Sequence, residues 1–161
     1  MAKRIVTKIG DVFCAEIENQ HKRFFQYIVS DMTMLNSSVI RIFKRHYPMD
    51  YVPDTDEIIK DEVEFYAHTV LRAGIMYNAW YKVGKAKELG DFSHVIFRCD
   101  MDIDKVERSV NWVVWHINEP MIHVRELPEK YYSAELGSVK PYVDIVNRLK
   151  FGKYLYYTPK Y

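Results

Sequence analysis

Three groups of side chains in this sequence have residue types that could do chemistry. The first is DMDIDKVERSVN, where Asp100, Asp102 and Asp104 alternate as the leading carboxylates of a calcium loop do. Such a loop needs glycine at its sixth position for a sharp turn and a bidentate acid at its twelfth. Here those positions hold Lys105 and Asn111, so the run reads as exposed carboxylates at a strand end, and no metal is expected. The second group is six histidines. His21 falls in a turn, His46 at a strand end, and His68, His94, His116 and His123 within apolar runs. No two share ligand spacing beside an acid that would orient a ring. His116 and His123 could meet across a hairpin, but a pair without a nucleophile or a third ligand defines no site. The third group is Cys14 and Cys99, each inside an apolar run, which reads as two buried, reduced thiols. No GxSxG, P-loop, GxGxxG, HExxH or CxxC signature occurs. The expectation is a protein with no catalytic residues, no cofactor and no metal.

The charge pattern points to binding. With 23 Lys and Arg against 22 Asp and Glu, the net charge of +1 leaves no global footprint for a polyanion. The first 46 residues lean basic, eight against four, mostly in turns and at strand ends, where such charges guard sheet edges. Between Asp50 and Glu64 the balance reverses: seven acids face a single Lys60. Pro48 and Pro53 make this a poor core strand, and Thr55 or Asp56 could cap a short helix carrying Ile58 and Ile59. A solvated face is the ordinary reading of such a run. The sharper one is a partner-facing patch in which Asp54, Asp56, Glu57, Asp61 and Glu62 meet the partner, with Tyr51 and Phe65 as aromatic anchors.

Elements that would position these residues are mostly strands. From Lys8 to His46 three apolar runs alternate with polar clusters, the pattern of an antiparallel meander entered through the Gly10-Asp11 turn. Phe13, Ala15 and Ile17 share one strand face, whereas Phe24 to Val29 is apolar on both faces except Gln26 and belongs near a sheet centre. Gly74 inside EFYAHTVLRAGIMYNAWYKVG suggests a bulge, giving two strands or one strongly coiled strand. SHVIFRCD reads as a strand, and NWVVWHINEPMIHVRELP as a hairpin turning at Asn118-Glu119-Pro120. Ser138 to Phe151 has helical spacing, with Pro141 in its first turn and Gly152 as its stop. The expected fold is α+β: a β-rich, strongly curved antiparallel sheet or partly open barrel with a C-terminal helix packed on it. A single domain is expected over 1–161, with a core over about 5–130 and the helix and tail over about 138–161. No run reaches transmembrane length, and MAKRIVTKIGD lacks the apolar core of a secretory signal, so a cytoplasmic protein is expected.

Lys8, Gly10, Asp11 and Phe13 form a KxGDxF opening; the aromatic strand FFQYIVSD, a strand ending in IRIF, and the later WYKVG segment follow it. Together, over roughly residues 5–130, these resemble the immunity protein 26 family of bacterial polymorphic-toxin systems. The resemblance implies a small cytosolic protein, encoded beside a toxin, that neutralises it by contact, with no catalytic residues to carry over. Its partner would be a cognate protein toxin, and many such toxins act on nucleic acid through a basic cleft. Two other classes compete: an SH3-like or small-toxin-like barrel that binds or cleaves nucleic acid, and a small-molecule-binding barrel. The first of these needs a basic groove with interleaved aromatics, and the balanced charge and acidic segment argue against it.

Overall fold

The polypeptide enters its first strand through Lys8–Asp11, where the Asp11 amide donates to the Lys8 carbonyl at 3.0 Å and the Gly10 amide to the Tyr27 carbonyl at 2.8 Å. The computed structural model describes residues 3–161. Strands β1 (Asp11–Ile17), β2 (His21–Asp31) and β3 (Ser37–Phe43) form the expected meander. The short β4 (Tyr47–Pro48) returns against the start of β2. After helix α1 (Thr55–Ile58), β5 (Val63–Thr69) pairs with β3; after helix α2 (Leu71–Met76), β6 (Tyr81–Lys85) pairs with β1. A second meander follows in β7 (Ile96–Asp100), β8 (Trp112–His116) and β9 (Ile122–Arg125). A 3-10 turn at Glu129–Tyr131 leads to β10 (Glu135–Leu136), β11 (Val139–Lys140) and helix α3 (Tyr142–Phe151).

The fold is α+β, as expected, but the strands are divided between two sheets. The larger runs β11-β5-β3-β2-β1-β6, with β4 beside β2; the smaller runs β10-β7-β8-β9. Both are mixed, because β11 lies parallel to β5 and β10 parallel to β7. Residues 135–140 therefore add one short strand to each sheet and strap the two together.

Alternation along β1 and β2 sets the packing. Phe13, Ala15, Ile17 and Phe25 face α3, whose Ile145 and Leu149 close that core with Trp80. On the opposite face Val12, Cys14 and Phe24 pack with Phe43, Tyr47 and Ile58 of α1. Further along that face Ile28 and Val39 meet Phe97, Val113 and Trp115 of the smaller sheet. Both Phe24 and Phe25 are fully buried, which is what apolar residues on both faces of a central strand require. Gln26, the polar exception, donates to the Ala86 and Glu88 carbonyls, and Arg41 Nε donates to its Oε1 at 2.8 Å.

Three local expectations are corrected. Gly74 lies in α2, not in a bulge; a Cβ there would fall 1.9 Å from the Trp80 ring, so the glycine exists to admit that indole. The cap of α1 is Asp54, whose side chain accepts from the Asp56 and Glu57 amides, one residue before the expected Thr55. The last helix begins at Tyr142, four residues later than Ser138. Proline disfavours helical dihedrals in the residue before it, so Lys140 stays extended and joins β11. Gly152 at φ +73 ends the helix, as expected.

Candidate functional site

The acidic stretch folds as a loop and one helical turn lying over the Tyr47–Ile58 side of the larger sheet. Ile58 is fully buried and anchors it. Tyr51 is half-buried, 4.2 Å from the Tyr47 ring and 5.8 Å from that of Phe24, centroid to centroid, and its carbonyl accepts from Lys22 Nζ at 3.0 Å. Asp54 caps α1, with 3.0 Å to the Asp56 amide and 3.4 Å to that of Glu57. Asp61 accepts from the Arg45 amide at 2.7 Å, tying the end of the loop to the residues before β4. These two carboxylates shape the loop. Asp56, Glu57 and Glu62 are exposed. Glu57 meets Lys60 at 3.1 Å and Glu62 meets Lys44 at 3.5 Å, pairs so exposed that each contributes little. Phe65 is corrected: at 1% exposure it lies in the core facing α3, with the Arg148 guanidinium 3.7 Å above its ring, and it presents nothing to a partner. Its position follows from register, because Phe65 pairs with Ile42 on the α3 face of the larger sheet.

One histidine sits in a buried network that local spacing does not reveal. Asp31, His68 and Trp115 are almost wholly enclosed where the two sheets meet. Asp31 Oδ2 bonds His68 Nε2 at 2.8 Å and accepts from Trp115 Nε1 at 2.9 Å; its Oδ1 accepts from the Asn118 amide at 2.9 Å. Burial alone would push the Asp31 carboxyl up, but the donors from Trp115, His68 and Asn118 outweigh it and hold the group below its ordinary range. Burial pushes His68 down, against the pull of Asp31, so it is neutral and serves as a donor. Among the described residues no hydroxyl or thiol side chain bonds to Asp31 or His68. His21 and His46 stack at 4.3 Å beside β4. His116 and His123 do not meet: His116 lies opposite Ile96 and His123 opposite Val113.

In the calcium-like run Asp102 accepts from the Ser109 hydroxyl. Among the described residues no three His, Cys, Asp or Glu side chains converge as a metal site. Cys14 is buried and Cys99 half-buried, both unpaired, and burial pushes both thiols up. Among the described residues no helix is long and apolar enough to cross a membrane.

Compared with known proteins, residues 8–102 match the family described as Immunity protein 26. The match spans both faces of the larger sheet, from β1 through β6, together with α1 and β7, and stops before the β8–β9 hairpin. No curated protein and no solved structure matches the chain.

Proposed function

Because the chain belongs to the Immunity protein 26 family, we propose that this immunity-type protein neutralises a cognate bacterial toxin by direct contact in the cytoplasm, without catalysis of its own. The family match carries this reading. The contact face we propose is the acidic turn, with Asp56, Glu57 and Glu62 facing the toxin, Asp54 and Asp61 holding the loop in shape, and the exposed edge of Tyr51 beside them. The support is physical: these three carboxylates project from a loop clamped at both ends, so little ordering remains to be done on binding. A basic cleft of the kind nucleic-acid-directed toxins need would be steered to them, which speeds association more than it deepens affinity. Nucleic acid itself is not the expected ligand.

Reversing Asp56, Glu57 and Glu62 together to Lys leaves the cap, the Asp61 tie and the buried Ile58 intact. At low salt this variant is expected to associate with the toxin encoded beside it at least about tenfold more slowly, with a difference that shrinks as salt rises. An unchanged association rate in a folded triple variant would rule out this face and leave the family-level reading standing. Failure of the wild-type protein to bind or protect against that toxin would remove both.

A further inference from the structure

Arg98, in β7, is a buried cation with no carboxylate partner. It is 9% exposed; its Nε donates to the Ala134 carbonyl at 3.2 Å, and its Nη1 is buried without a partner. Two aromatic rings make a corner around it. Its Cζ lies 5.3 Å from the Trp112 ring centroid and 4.9 Å from that of Tyr161, and the two rings stand edge to face at 6.3 Å. A guanidinium stacked this way keeps its planar N–H edge for hydrogen bonding, and that edge matches two oxygens of a carboxylate or phosphate. Burying the charge unpaired is costly, so an entering anion recovers what desolvation took.

Arg98 lines two adjoining clefts. One, of about 470 Å³, is shared with Arg108, Thr158, Lys160 and Tyr161. The other, of about 460 Å³, is shared with Glu64, Glu135, Arg148 and Lys153. The two acids lining the second cleft already have cations, Glu64 with Arg23 at 2.7 Å and Glu135 with Arg148 at 3.5 Å, and Glu107 has Lys160 at 3.2 Å. Among the described residues neither Arg98 nor Arg108 has such a partner, so the first cleft carries uncompensated positive charge. Its walls are held by backbone. The Ser109 amide donates to the Lys160 carbonyl at 3.0 Å, the Lys160 amide to that of Glu107 at 2.8 Å, and the Gly137 amide to that of Arg98 at 2.7 Å.

We propose that Arg98 and Arg108, with the Thr158 hydroxyl, form a binding site for a single oxyanion, a carboxylate or a phosphate group, in the cleft between β7 and the tail. The site lies on the smaller sheet, with Arg98 inside the residues matched to the family and Arg108 and Thr158 beyond them, and it stands or falls independently of the acidic turn.

Thermal unfolding of the full chain in sodium phosphate, sodium acetate and sodium chloride at matched ionic strength tests it. Phosphate or acetate is expected to raise Tm with the logarithm of its concentration, by about 4 °C at ten times Kd, while chloride does not. A response to phosphate alone assigns phosphate as the ligand chemistry; a response to acetate as well assigns the carboxylate. Arg108 is exposed, so Arg108→Ala leaves the core intact and is expected to weaken the response at least about tenfold in apparent affinity. Arg98→Lys keeps the charge, loses the two-pronged edge, and should behave likewise. Should Arg98→Lys fail to fold, the Arg98 Nε resonance of the wild-type protein, which must shift on phosphate or acetate addition, carries the test. A Tm change equal to that in chloride, a response unaltered in Arg108→Ala, or an unmoved Arg98 signal overturns the proposal.

Discussion

Asp31 ends β2 with a carboxylate that accepts from His68, Trp115, Asn118 and the Thr33 amide, joining residues from β5, β8 and two turns. A buried acceptor of this kind is worth most when all its donors are present, and replacing it leaves donors orphaned. Asp31→Asn is expected to lower unfolding free energy by roughly 3 kcal/mol, read from urea denaturation. The pH dependence follows from two depressed pKa values. For a group whose folded pKa lies below its unfolded one, the unfolded chain binds more protons, so stability is full above the unfolded pKa and falls with pH below it. His68 therefore starts to cost stability below about pH 6.5, and Asp31 below about pH 3.9. His68→Gln keeps a donor for Asp31 and removes the titration. The slope of stability between pH 6.5 and 5 should then flatten by up to about 1.4 kcal/mol per pH unit. His21 and His46, also pushed down by burial, account for what remains. An unchanged slope would mean that His68 takes up its proton at the same pH in the folded and unfolded chains, and a steeper one that it is protonated in the fold.

Short elements here are defined by what they cover. Helix α1 is one turn long and α2 less than two, too short to persist alone, and each is held by a contact with the sheet. For α1 that contact is Ile58. For α2 it is the packing of Gly74 against Trp80, whose Nε1 also donates to the Leu71 carbonyl at 3.0 Å. Gly74→Ala would improve helix propensity but drive a methyl into the indole, and overpacking wins. The expected loss is about 2 kcal/mol in denaturant unfolding, with a changed Trp80 fluorescence. A stabilised Gly74→Ala variant would show that Trp80 can move aside.

At the scale of the whole molecule, we propose that the 161 residues unfold as one unit. The two sheets share a core at Ile28, Val39, Phe97 and Trp115, the Asp31 network crosses between them, and residues 135–140 bond to both. Far-UV circular dichroism and tryptophan fluorescence should report coincident denaturation curves; separated midpoints would divide the sheets into two units. Much of this architecture is written locally. The meander, the two-sided burial of β2, the Gly152 stop and the exposure of Asp56, Glu57 and Glu62 follow from residue type and a period of two or 3.6, which a short window of sequence contains. The split into two sheets, the strands β10 and β11, the buried Asp31 network and the unpaired Arg98 do not. Each depends on which distant segment lies alongside: the Thr69 hydroxyl bonds the Lys140 carbonyl across 71 residues, and Trp115 reaches Asp31 across 84. Two-residue strands carry no periodicity of their own, and a charged residue in an apolar run looks the same whether its partner is water, a distant side chain or a ligand. Only closure of the chain decides among them, because burial removes the water that would otherwise satisfy these groups.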